Sequence, residues 1–169
     1  MFTCTKLFNF ISIFIVFNHG LSSGYGLSRV NNPIRKSKPK SLEKPVFKSG
    51  VITGMDYRDL LQYAQDMEFA IPGVNIVGTN SINACLEAAS MASSPIMITF
   101  SRGGGQFIAG KSANNDNDAA CIAGTISGAM HVREIAKLYG IPVILHTDHC
   151  CKGWLTWFDG LIEANEKYF

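Results

Sequence analysis

No apolar run in this 169-residue chain is long enough to cross a bilayer. The most apolar stretch, LFNFISIFIVF from Leu7 to Phe17, is 11 residues long, against the ~20 that a transmembrane helix needs. Acid is missing from residues 1–42, which hold six Lys and Arg and no Asp or Glu. The remainder carries 9 basic against 13 acidic residues, so the net +2 comes from the N-terminal arm. The mildly acidic remainder therefore gives nucleic-acid binding no support. No CxxC pair occurs, and the five cysteines are odd in number, so no disulfide framework is implied and reduced thiols are expected. His146, His149, Cys150 and Cys151 resemble a zinc knot only in composition. Four ligands within six residues can hardly wrap one tetrahedral ion. Repeats and low-complexity tracts are absent beyond the arm.

What is present begins with a leader. Lys6 ahead of the apolar run, and the small residues of GLSSG after it, have the form of a signal peptide. YGLSRVNNPIRKSKPKS then has the basic, acid-free composition of a transit peptide. Signal followed by transit resembles the bipartite leaders of plastids with extra membranes. A plastid destination is expected, with cytoplasmic or secretory location as the alternative, and residues 1–45 are placed outside the fold.

The rest alternates helix and strand. MDYRDLLQYAQDMEF spaces Tyr57, Leu60, Leu61 and Ala64 as a helix, and AIPGVNIVG reads as a short strand ending at Gly78. SINACLEAASMAS aligns Ile82, Cys85, Leu86 and Ala89 on one helical face, and IMITF is an apolar strand. A Gly-rich polar loop is expected over 101–118. A long helix follows from Ala119 to Tyr139, with Ile122, Ile126, Met130 and Ile135 inward. Gly140 suits its C′ position and Pro142 forbids continuation. VILH is the third strand and WLTWFDGLIEANEKYF a last helix. Strands apolar on both faces and separated by helices imply a parallel α/β sheet. Three βα units fit either part of an eight-unit barrel or half of a doubly wound sheet.

In both architectures ligands bind at the C-terminal strand ends. Asn75, Ser101 and the group His146, Asp148 and His149 all fall there, on one rim. GQFIAGKS, Gly105 to Ser112, matches the phosphate-loop pattern GxxxxGK[ST]. That mechanism needs a helix starting at the Lys–Ser end. Here Lys111 and Ser112 run into turn-forming ANNDND, so a P-loop NTPase is the lesser reading. Lys111 is then a solvated loop lysine, and the SRGGG residues offer a phosphate nest of their own.

Six ordered stretches, GVITG, AIPGVNIVGTNSINACLEAA, FSRGGGQFIAGK, ISGAMHV, YGIPVILHTDHC and DGLIEANEKYF, resemble successive motifs of class II (metal-dependent) fructose-bisphosphate aldolases. HTDHC resembles the class IIA branch. The resemblance runs over residues 46–169 and implies the front of a TIM (β/α)8 barrel, about its first three βα units. It implies reversible cleavage of fructose 1,6-bisphosphate to dihydroxyacetone phosphate and glyceraldehyde 3-phosphate. By resemblance Asp148 is the catalytic acid/base and His149 a Zn2+ ligand, while Ser101 and Asn75 bind substrate phosphate. Zinc would polarise the carbonyl, and a carboxylate would move the C4 hydroxyl proton. The family's remaining zinc ligands, a Glu and two His, come from later strands, and His131 is no substitute. The monovalent-cation site and second phosphate grip also belong to that later part. A homodimer, sugar-phosphate substrates and no membrane attachment in the mature form are implied. The chain is expected to be a front portion that is inactive alone, with a non-catalytic remnant as the alternative. Arg102 receives no family role; a cation beside the phosphate and a solvated side chain are both open.

Residues 1–48 fused to a fluorescent protein should localise to a plastid. Diffuse cytosolic fluorescence would remove the leader reading.

Overall fold

The computed structural model describes residues 45–168, so the leader lies, except for Pro45, outside the described residues. Four strands form one parallel sheet: β1 (Gly50–Val51), β2 (Gly73–Asn75), β3 (Ile96–Phe100) and β4 (Pro142–Thr147), in the order β1-β4-β3-β2. The helices are α1 (Gly54–Asp66), α2 (Thr79–Met91), α3 (Arg102–Ala109), α4 (Ala119–Ile135) and α5 (Leu155–Tyr168). β2, β3 and β4 are neighbours in chain order, with a helical crossover between each pair.

Alternation along the strands divides the sheet into two faces. Ile98 and Leu145, opposite each other in register, join Ile76, Phe100 and Val143 in the main core with Leu86 of α2 and Val132 of α4. Met97 and Ile144 point the other way and pack with Ile52 and with Leu60 of α1. Asn75, Thr99 and His146 form one row across the three strands. They stand on that second face, nearer the C-terminal ends.

Three features depart from the sequence reading. β1 was not foreseen, because a two-residue strand carries no period. It is held by Gly50 N–H to Ile141 O, 2.9 Å, and Ile52 N–H to Val143 O, 3.0 Å. The first half of the 101–118 loop is instead helix α3. Ser101 caps it, with Oγ accepting from Gly104 N–H at 3.0 Å, and Gly110 closes it at φ +101°. Three glycines weaken the helical signal, yet packing requires them. A Cβ on Gly105 would lie 2.4 Å from Cys121 O, and one on Gly124 would lie 1.8 Å from Gly105 O. The third departure follows from this contact. α4 buries its small residues most fully, among them Cys121, Gly124, Thr125, Gly128 and Ala129, while Ile122, Ile126, Met130 and Ile135 are half-buried, the three isoleucines packing against core clusters.

The second half of the loop does turn as expected. Asn117 and Asp118 take positive φ, 52° and 61°, which Asn and Asp tolerate better than most residues. A 3-10 turn at Ala136–Tyr139 follows α4, and Gly140 closes it at φ +70° in the left-handed region. In a separate cluster with Cys121 and Leu161, Trp157 is fully buried, its Nε1–H donating to Thr125 Oγ1 at 3.3 Å.

Gly124→Ala should destabilise the protein at the upper end of the roughly 1–3 kcal/mol typical of overpacking. Gly103→Ala, whose Cβ meets nothing within 4 Å, should be neutral or gain up to about 1 kcal/mol from helix propensity. Denaturant midpoints of the two variants check this; equal midpoints would contradict the close approach of α3 and α4.

Candidate active site

Register delivers the polar residues to one rim. The ladder between β3 and β4 continues one step past the strand, with Asp148 N–H donating to Phe100 O at 2.9 Å. Asp148 therefore lies just beyond the last paired residue, on the same face as Asn75, Thr99 and His146. Asn75 reaches across the end of β3, and its Nδ2 donates to Asp148 Oδ2 at 3.2 Å. The other carboxylate oxygen accepts from the His149 backbone N–H at 2.9 Å. The carboxylate is thus fixed through both oxygens while the residue remains only half-buried. That geometry suits a group that must exchange a proton with something arriving from solvent.

Ser101 lies between β3 and α3 as the N-cap of the helix. Its Oγ lone pair is used by the Gly104 cap, which leaves the O–H as a donor. The first amides of α3 lack intrahelical partners, as in any helix, and they start at the same strand end. The close seat of α3 is again glycine-dependent, since a Cβ on Gly104 would stand 2.8 Å from Ile76 O.

His146 lies behind Asp148, its Nδ1 3.3 Å from Thr99 Oγ1. Burial pushes its pKa below 6.5, and the neighbouring Asp148 carboxylate opposes that shift. Burial likewise raises the Cys150 thiol pKa, with smaller contributions from Cys151, Asp159 and Asp118. His149, by contrast, is exposed at the rim. Its imidazole stacks on Trp154 with ring centroids 6.0 Å apart and planes inclined by 28°.

Arg102 is held in an ion pair with Asp118. Its Nε donates to Asp118 Oδ1 at 2.9 Å and a terminal nitrogen donates to the same oxygen. Its guanidinium lies over Trp154, with Cζ 5.7 Å from the ring centroid. Trp154 and Asp118 were not foreseen as part of the rim. A tryptophan opening an amphipathic helix reads as core, and Asp118 reads as a turn residue. His131, on α4, has its Nε2 2.9 Å from Asn83 Oδ1 of α2.

Lys111 follows the C-terminal end of α3, its Nζ donating to Gln106 Oε1 at 3.2 Å. The GxxxxGK[ST] pattern therefore ends where a helix stops, and no helix starts there to face a phosphate. Among the described residues no group of three or more His, Cys, Asp or Glu is placed to hold a metal ion. His149 offers one imidazole toward the rim, short of the roughly three protein ligands of a catalytic zinc site.

A parallel sheet in which β2, β3 and β4 lie side by side in chain order, with a carboxylate and an imidazole at the C-terminal strand ends, has the arrangement of part of a (β/α)8 barrel. Residues 55–169 match the family described as fructose-bisphosphate aldolase class-II. The chain is 54% identical over 123 residues to fructose-bisphosphate aldolase class 2 of Escherichia coli (strain K12), covering 72% of this chain and 34% of that one. It is 50% identical over 122 residues to fructose-bisphosphate aldolase of Candida albicans, with the same coverages. The crystal structure of fructose-bisphosphate aldolase from Campylobacter jejuni superposes with a TM-score of 0.68 at 53% identity, over 73% of this chain and 35% of that one. The chain belongs to the class-II fructose-bisphosphate aldolase family, and it spans about a third of the length of these relatives.

The His146 shift fixes a sign. The folded state disfavours the imidazolium, so the unfolded chain binds the proton first as pH falls. Stability from neutral His146 is fully present above about 6.5 and is lost as pH drops from there toward the lowered folded value. His146→Asn should therefore lose less of its denaturant midpoint than the parent chain between about pH 7 and about pH 5. An unchanged slope would contradict a half-buried His146 held neutral by desolvation.

Proposed function

We propose that this chain supplies one wall of a class II aldolase active site, for reversible cleavage of fructose 1,6-bisphosphate to dihydroxyacetone phosphate and glyceraldehyde 3-phosphate. The observation that carries the reading is the Asp148 carboxylate, fixed by Asn75 Nδ2 at 3.2 Å and the His149 amide at 2.9 Å on a rim shared by three strand ends. In the cleavage direction Asp148 takes the proton of the C4 hydroxyl as the C3–C4 bond breaks, and in condensation it returns that proton. Asn75 orients the carboxylate and, with the Ser101 hydroxyl and the α3 N-terminus, faces a substrate phosphate. His149 contributes one ligand to a zinc ion whose other ligands are not among the described residues. When bound, that ion polarises the substrate ketone. A monovalent cation, a homodimeric assembly and a plastid location belong to the same proposal; family resemblance supports the first two and leader composition the third. Among the described residues no helix is long and apolar enough to cross a membrane.

The test uses a chimera in which residues 55–169 replace the matching stretch of the Escherichia coli relative, which supplies the rest of its own chain. Asp148→Ala should keep zinc and lose turnover by about 10²–10⁴-fold. His149→Ala should lose zinc affinity, and with it both cleavage and proton exchange on dihydroxyacetone phosphate. Zinc content, both rates and thermal stability separate the roles. Loss of metal from Asp148→Ala with retention by His149→Ala would reverse the assignment. A shared loss of folding would make both residues structural.

A further inference from the structure

Trp154 is out of place as a core residue. Trp157, one turn on, is fully buried and has its indole N–H satisfied by Thr125. Trp154 is half-buried in the short 3-10 turn Lys152–Trp154, whose backbone closes with Trp154 N–H to Cys151 O at 2.9 Å. Its ring meets two polar groups of the rim. The His149 imidazole stacks near one part of the indole at 6.0 Å, within the 4.5–7 Å range of aromatic pairs. The Arg102 guanidinium lies 5.7 Å from the indole centroid, within the ~6 Å reach of a cation–π contact. Arg102 is in turn anchored, since two of its nitrogens donate to one carboxylate oxygen of buried Asp118.

These contacts form a chain from the N-terminus of α4, through α3, to the loop after β4. Each link removes freedom from the next. Asp118 fixes the guanidinium, the guanidinium restricts the indole, and the indole restricts the imidazole. Without it, His149 would be an exposed side chain on a loop just past the last paired residue of its strand, free to sample several rotamers. A side chain that must meet a ligand in one orientation gains from being ordered beforehand. We propose that Trp154 is a positioning residue for His149, and that the Asp118–Arg102 pair holds Trp154 in that role. The proposal rests on the reading of His149 as a working imidazole of the site, but its ordering is a property of the metal-free chain and can be measured there.

The probe is diethyl pyrocarbonate, which carbethoxylates accessible neutral imidazoles, applied to the metal-free 169-residue chain with site-resolved mass spectrometry. Trp154→Ala should raise the His149 rate roughly two- to tenfold, the range that one aromatic contact contributes. Trp154→Phe, which keeps an aromatic face, should return it most of the way. Arg102→Met should give a smaller rise with Trp154 intact, and it reads the same chain of contacts should Trp154→Ala fail to fold. His131, tied to Asn83, should be unaffected in every variant. An unchanged His149 rate in Trp154→Ala would overturn the proposal, as would a Trp154→Phe rate equal to that of Trp154→Ala. Equal acceleration of His131 would also overturn it, by showing general loosening. If the chimera above folds and is inactive while the His149 rates follow this pattern, the aldolase reading fails and the positioning role stands.

Discussion

The hydrogen bond from Asp148 N–H to Phe100 O, 2.9 Å long, is the contact on which the rim depends. It extends the β3–β4 ladder past Thr147, so the residue after the strand is still held by the sheet. Side chains alternate along a strand, and the bond therefore decides that Asp148 faces the same way as His146 and Thr99. A slip of one residue in β4 would turn the carboxylate toward the main core beside Ile98 and carry Val143 and Leu145 off it. The apolar row on that side makes such a slip costly, because each misplaced Leu or Ile forfeits about 1.5–3 kcal/mol of burial. The hydrophobic pattern thus positions the polar site, although it contains none of its residues.

The second constraint is the contact of α3 with α4. α3 must start at the end of β3 to bring Ser101 and the helix N-terminus to the rim, and α4 must pass behind it. Gly105 and Gly124 let the two backbones meet with no side chain between them. Glycine lowers helix propensity by about 1 kcal/mol per position, a cost that the buried interface and the Ser101 cap offset. The same short segment carries Arg102, which links α3 to Asp118 and to the loop after β4. Seating α3 therefore fixes two parts of the site at once.

The long periodic elements were legible in the residues. α2 shows Ile82, Leu86 and Ala89 buried as their spacing requires, IMITF is a strand over its full length, and Gly140 takes the left-handed conformation that ends the turn after α4. β1 was not legible, since two residues have no period. α3 was hidden because its glycines answer to a neighbouring helix and not to local propensity. The face of α4 was legible only in part: Ile122, Ile126 and Ile135 pack against core clusters, but the closest approach is made by small residues that carry little hydrophobic signal. At the site, the rule that ligands bind at strand ends gathered Asn75, Ser101, Asp148 and His149 on one side. Trp154 and Asp118 escaped notice because their partners are distant in sequence and joined only by the fold.

The proposed activity depends on whether these strand ends form the acid/base and phosphate-facing wall of an aldolase. The most direct measurement is steady-state cleavage of fructose 1,6-bisphosphate by the chimera with residues 55–169 unsubstituted in the Escherichia coli scaffold. Turnover comparable with that of the parent enzyme is expected. A folded, zinc-loaded chimera that cleaves no substrate would contradict it.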